Sequence, residues 1–249
     1  EIRLSLVGSE MCIRDRHGIN DASIRIGLRL SKDETIVRMP FEVRHMGSKY
    51  PIFSFDFTGA KRGVLPASYD YLRLEGRMQY RLNLPPIGYS QLMLEGGKIF
   101  GKVPYLLLKL HEGNGTYFYD RYAFSCMNFY EFSSDAWISF FYEHHFNGFL
   151  LGRVPLLKKL NWREVFVFKG VYGTLSARND GSLPNTKAVM LFPVGMSSVE
   201  HPYLETGFGI ENIFRLLRVD CIWRLTHHRA VPGLSIPTFT VNFSLNLKF

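Results

Sequence analysis

The chain has 249 residues but only three cysteines, Cys12, Cys126 and Cys221, with no CxxC spacing. Neither a zinc site nor a disulfide framework is indicated. Long apolar runs are also missing. The longest stretch free of Asp, Glu, Lys and Arg runs from Ala230 to Leu247, yet it contains Pro232, Gly233 and Pro237 and alternates with Thr, Asn and Ser. That excludes a transmembrane helix. Lys and Arg outnumber Asp and Glu by 30 to 22, a net charge of +8, but they are scattered singly and form no basic block or helical stripe. Nucleic acid is therefore not an expected partner. At 46% hydrophobic and 15% aromatic the chain is too apolar for disorder, while a mean hydropathy of −0.04 conceals how the apolar residues are arranged.

Residues 1–16, EIRLSLVGSEMCIRDR, do not read like the rest. The string LSLVGSEMCIRDR resembles a translated sequencing-adapter read-through, and we read the segment as non-native. Its three arginines balance its three acids, so the +8 belongs to residues 17–249. The other reading is a real strand, since EIRLSLVG alternates weakly. There is no initiator Met or signal peptide, so we expect the natural chain to have begun upstream and 17–249 to be a β-barrel incomplete at its N-terminus.

What is present is alternation at period two. Leu72, Leu74, Met78, Tyr80, Leu82 and Leu84 share one parity, and Arg73, Glu75, Arg77, Gln79, Arg81 and Asn83 the other. The last segment is cleaner: Phe239, Val241, Phe243, Leu245, Leu247 and Phe249 face one way, and Thr238, Thr240, Asn242, Ser244, Asn246 and Lys248 the other. Such runs are longer than most soluble strands and fit a membrane-crossing strand of roughly 9–11 tilted residues. The expected fold is an all-β antiparallel transmembrane barrel, in its C-terminal portion. Eleven strands are expected, at 22–31, 34–45, 50–57, 69–84, 87–100, 120–131, 134–147, 161–177, 202–212, 215–226 and 236–249, with at least twelve in the full barrel. The aromatic-ended last segment reads as the signal that outer-membrane assembly machinery recognises. Expected partners are outer-membrane lipid, that machinery and envelope proteins, and the expected location is the bacterial outer membrane.

Counting strands back from a periplasmic C-terminus puts the loops 178–201 and 227–235 outside. It puts two similar connections, Gly101–Leu110 and Gly152–Leu160, on the periplasmic side. Both read G-[KR]-V-P followed by Leu and Lys, which suggests a short amphipathic helix at the membrane surface or in the barrel mouth, or else an ordinary packed turn.

The opposite parity supplies candidate lumen-lining charges: Arg25, Arg29, Arg73, Glu75, Arg77, Arg81, Glu143, Arg163, Glu205, Glu211, Arg218, Asp220 and Arg224. They could lock the lumen through ion pairs or line a channel that favours anions. The one compact acid/base cluster is Glu143, His144 and His145. Strand geometry turns Glu143 and His145 inward with Trp137, Ser139, Phe141 and Asn147, and His144 outward. Ser139 and His145 lie roughly 20 Å apart along a strand, too far for a nucleophile and its base. No catalytic residue, metal ligand or cofactor site is expected.

Three strings, PYLLLKLHEGNGTYFYDRYAFSCMNFYEFSSD, FYEHHFNGFLLGRVPLLKKLNWREV and YLETGFGIENIFRLLRVDCIWRL, resemble a Gram-negative outer-membrane family of unassigned activity. In it a carboxypeptidase-regulatory-like β-domain precedes a C-terminal barrel, and only the barrel portion is matched here. GFGIENIFRLLRVD and the closing strand are more weakly similar to surface-antigen-type barrels that insert or translocate other proteins. These resemblances imply a non-enzymatic envelope scaffold or assembly-type barrel. A diffusion channel is the alternative and an outer-membrane hydrolase a distant third.

Overall fold

The structure is a computed structural model that describes residues 2–11, 19–39, 43–45, 47–64, 67–182, 188–228 and 235–245. Ten strands form one sheet, each antiparallel to its neighbours, and their order in the sheet follows their order in the chain. They are β1 (Ile2–Met11), β2 (Ile19–Leu30), β5 (Ile52–Ala60), β6 (Tyr71–Asn83), β7 (Tyr89–Gly101), β10 (Ala136–His145), β11 (Arg163–Thr174), β13 (Tyr203–Ile213), β14 (Leu217–Arg224) and β15 (Phe239–Leu245). The remaining strands lie in the connections. A small hairpin joins β3 (Ile36–Arg38) to β4 (Val43–His45), and a three-stranded sheet combines β8 (Lys109–Leu110), β9 (Phe132–Ser134) and β12 (Ser197–Ser198). Among the described residues β1 and β15 are the two edges of the main sheet.

Nine of the eleven expected strands are in the sheet, and two are not. The expected strand 34–45 is instead the short hairpin β3–β4, where Arg29 chelates Glu34 at 2.6 Å through both terminal nitrogens and His45 Nδ1 lies 3.1 Å from the same carboxylate. That guanidinium holds the Glu34 carboxyl down at about 2. The expected strand 120–131 is a series of turns, because its apolar residues pack inside the fold. Residues Ile2–Met11, within the segment read as foreign, form β1 and pair along their length with β2. Leu247 and Phe249 lie outside the described residues.

Strand parity sorts the side chains as alternation requires. On β10, Trp137, Ser139, Phe141, Glu143 and His145 are buried on one face, while Ile138 is exposed on the other with the half-buried Phe140 and Tyr142. On β14, Arg218, Asp220, Ile222 and Arg224 are buried and Trp223 is exposed. The exposed face is aromatic and aliphatic, with Phe53, Phe55, Phe57, Leu72, Phe208 and Phe239 among its residues. The buried face, called inner below, is covered by the long connection 102–135 between β7 and β10.

Two apolar clusters lie at that contact. Phe124 and Met127 of the connection pack with Met93, Phe141, Val171 and Tyr203 of the sheet, and Val103 and Leu108 pack with Tyr71, Ile99 and Trp137. Gly97 permits the second cluster, since a Cβ there would stand 2.6 Å from the Trp137 ring and from the Leu74 carbonyl. The alternating direction of neighbouring strands also settles the two G-[KR]-V-P segments. Ala136 pairs with Lys98 at one end of β7 and β10, and His145 with Tyr89 at the other, so the segments leave the sheet at opposite ends. The expectation of one shared side is corrected because 34–45 and 120–131 do not cross the sheet, which reverses every strand between them.

Candidate functional site: a charged wall around an inserted segment

The inner faces of β7, β10, β11, β13 and β14 carry charges too deep to be solvated, and Glu95, Glu143, Lys169, Glu205 and Arg224 find partners in the inserted segment 102–135. Burying an unpaired charge costs several kcal/mol, so this matching decides whether the segment can sit there. Glu143 is central. It accepts hydrogen bonds from Arg121 at 2.7 Å, from the Tyr119 hydroxyl, and from Arg218 at 3.3 Å, while Arg218 also clamps Asp220 at 2.7 Å. Lys169, fully buried on β11, donates to the carbonyls of Asp120 and Ala123 at 2.7 and 2.5 Å.

Glu205 works as a cap for backbone. Its two oxygens accept the amides of Ser125 and Cys126 at 2.9 and 2.7 Å, and the Tyr203 hydroxyl donates to it at 2.6 Å. Burial, with the Glu205 charge nearby, pushes the Cys126 thiol up to about 12, so it stays an inert thiol. Arg224 donates to Glu131 at 2.5 Å and to the Cys126 carbonyl at 3.1 Å. At the other end of the segment Lys109 joins Glu95 and Glu112 at 2.9 and 2.7 Å, and Arg77 closes on Glu95 at 2.6 Å. Backbone pairing completes the seating: the Tyr119 amide donates to the Phe243 carbonyl and the Phe243 amide to the Tyr117 carbonyl, both at 2.7 Å, along the edge of β15.

The structure divides the thirteen candidate charges into two groups. Glu143, Glu205 and Arg224 bond the inserted segment, Arg218 lies 4.4 Å over its Tyr119 ring while bonding Glu143 and Asp220, and Glu211 is linked to Glu143's strand through His145 at 3.2 Å. The others lie toward the β2–β7 side or the sheet ends. Arg25 pairs with Asp56 at 3.0 Å, Arg73 with Glu75 at 2.7 Å, and Arg81 lies 4.1 Å over the Tyr89 ring. Arg29 is held by Glu34, and Arg163 is half-buried at the start of β11 opposite Glu211. Within the last strand Phe239, Phe243 and Leu245 are exposed, Val241 is half-buried, and Asn242 on the other parity donates to the Thr116 carbonyl at 3.1 Å.

Sequence reading missed Glu95, Lys109, Arg121, Glu131 and above all Lys169. Lys169 stands in REVFVFKGVYGT, where Val165, Val167 and Val171 occupy the inner parity and aromatics the outer, so alternation is invisible. A lone Lys inside such a run is the available signal. Also missed was a cross-strand pair on the outer parity. Ser90 Oγ lies 2.7 Å from His144 Nδ1, the second imidazole nitrogen is 3.0 Å from the Ile87 carbonyl, and Tyr142 is 3.0 Å from Ser90. His144 is buried with the Phe146 ring 4.3 Å away, so the set fastens the ends of β7 and β10. No group of three or more His, Cys, Asp or Glu placed to hold a metal occurs among the described residues. A cavity of about 950 Å³ opens beside Glu131, His201, Arg224 and His227 at the end of the sheet with the long connections.

Residues 17–177 match the family of unknown function DUF5686, C-terminal domain. The chain belongs to this family. No curated protein matches the sequence. Among solved structures, the DUF5686 chain is similar to BamA from Haemophilus ducreyi lacking POTRA domains 1–3, with a TM-score of 0.53 and 10% identity over 93% of this chain. The match spans 44% of that BamA chain, and identity this low establishes a shared fold.

Two outcomes follow for this DUF5686 chain. Arg224→Met strands the Glu131 carboxylate in a buried site and should destabilise the seating of 102–135 by about 3–5 kcal/mol. Limited proteolysis should then cut that segment faster, with part of the protection restored in Arg224→Met/Glu131→Gln. His111 supplies a pH test. Burial and the neighbouring Lys109 ammonium push its imidazole down to about 3, and it sits 3.0 Å from Ser134 Oγ. A folded pKa below the unfolded value of about 6.5 means stability is fully present above that pH and falls as the unfolded chain alone takes up the proton. Urea titrations from pH 7 to 4 should lose stability in wild type, with a shallower loss in His111→Gln.

Proposed function

We propose that this chain is a non-enzymatic outer-membrane barrel whose lumen is closed by its own segment 102–135. In this reading it serves as an envelope scaffold or as an assembly-type barrel that handles other proteins. The observation that carries it is the pairing of the inner-face charges Glu143, Lys169, Glu205 and Arg224 with groups of that segment. A wall that lined a diffusion channel would leave such charges to water, whereas here they are spent on holding a plug. The exposed aromatic and aliphatic outer face is suited to lipid, and the longest connections, 102–135 and 175–202, share one end, as the extracellular loops of such barrels do.

The resemblance of GFGIENIFRLLRVD to surface-antigen-type barrels, together with the BamA-like fold, supports the assembly-type variant. The resemblance to proteins carrying a regulatory-like β-domain supports a larger parent protein. Absence of enzymatic activity is part of the proposal, because His145 is engaged by Glu211 and stacked 4.5 Å from the Tyr89 ring rather than poised beside a nucleophile.

A channel reading keeps one argument, the excess of arginine among the thirteen candidates, eight to five. Planar-bilayer recording separates the two. Wild type should give no steady conductance, and Lys169→Met/Arg224→Met, which removes two anchors of the plug, should give open events. Steady anion-selective conductance in wild type would favour the channel and contradict the proposal.

A further inference from the structure

The two G-[KR]-V-P segments share sequence but not environment. In the first, Val103 and Leu108 are 1% and 3% exposed and belong to the core. In the second, on the 146–162 connection, Val154 and Leu160 are 44% and 48% exposed. The sequence element is thus able to bury itself, and in its second copy it does not. On that connection a turn of 3-10 helix at Leu151–Arg153 runs into α1 (Pro155–Lys158), and Arg153, Lys158 and Lys159 are exposed alongside the apolar residues.

These three cations are in no salt bridge among the described residues. Arg153 lies 4.0 Å over the Phe149 ring, and the nearest acid on the connection's flank, Glu164, is engaged by the Leu151 amide. The neighbouring turn repeats the composition. Phe214 is 87% exposed beside exposed Arg215 and Leu216, and Asn212, at the end of β13, donates to the Asn161 carbonyl at 2.8 Å, tying turn and connection together. The patch continues the lipid-suited outer face of β10 and β11, where Tyr142 and Phe166 lie.

We propose that this rim, Arg153, Lys158, Lys159 and Arg215 around Val154 and Leu160, binds anionic phospholipid headgroups in the leaflet at the short-turn end. The inference rests on the membrane-barrel reading above. Apolar side chains of a short amphipathic segment enter the acyl boundary while Lys and Arg reach the phosphates, each cation adding about fivefold in affinity. Continuity with the outer face selects lipid over an acidic soluble partner, which would not need the apolar residues.

The test is native mass spectrometry of the folded protein in detergent micelles titrated with phosphatidylglycerol or phosphatidylcholine. Heat-modifiable gel migration serves as the check that each variant is a folded barrel, so that failure of the membrane reading shows there and not in the lipid signal. Wild type should retain phosphatidylglycerol in preference to phosphatidylcholine and should keep it against millimolar glycerol phosphate. Arg153→Gln/Lys158→Gln/Lys159→Gln should weaken retention on the order of 100-fold, and Val154→Ser/Leu160→Ser should weaken retention of both lipids. Unchanged phosphatidylglycerol retention in the folded triple variant, equal retention of both lipids by wild type, or displacement by glycerol phosphate would each overturn the proposal.

Discussion

Buried charge on the inner face of the sheet is the constraint on which the rest of the structure depends. Glu143, Lys169, Glu205 and Arg224 cannot stand in a dry interior alone, and a sheet that presents them must supply either water or a matched partner. Segment 102–135 is that partner, and it answers each charge in kind: Arg121 and Tyr119 to Glu143, backbone carbonyls to Lys169, backbone amides to Glu205, and Glu131 to Arg224. Because several of these bonds go to main chain, the path of the segment is specified as well as its presence. The apolar clusters around Phe124 and Trp137 then fill the space between the polar anchors.

This arrangement separates the tasks of the two faces. The outer parity is free to be apolar because the inner parity carries every charge the sheet holds deeply, and the inner parity is free to be charged because the inserted segment neutralises it. The ends of the sheet differ accordingly. One end feeds the inserted segment and the 175–202 connection, whose Asn179 accepts the Val103 amide and donates to Asp135. The other holds short turns and the exposed Leu/Lys connection. Two similar strings therefore meet opposite fates because they leave the sheet at opposite ends, one beside a cavity to fill and one beside an exposed apolar face.

Much of the architecture was legible in the sequence because period two survives wherever one face is apolar and the other charged. β6, β14 and β15 could be placed to within a few residues on that ground, as could the inward turn of Glu143. Where the pattern misled, packing had replaced alternation. Residues 120–131, DRYAFSCMNFYE, are aromatic enough to resemble a strand, yet Phe124 and Met127 are buried on all sides in turns. On β11 the inner parity is itself apolar, which concealed Lys169. Which charges meet was not legible at all, since Glu131 with Arg224 and Glu95 with Lys109 are joined through the fold and not by spacing.

Segment 102–135 is seated by the wall rather than draped over it. Amide hydrogen exchange at Ser125 and Cys126 tests this most directly, because those two N–H groups point at the Glu205 carboxylate and at nothing in their own segment. In the folded protein they should exchange as slowly as the strand amides of β11 and β13 and become fast in Glu205→Ala while the strands stay protected. Exchange of both amides at the rate of an open loop in wild type would mean that Glu205 does not hold the segment.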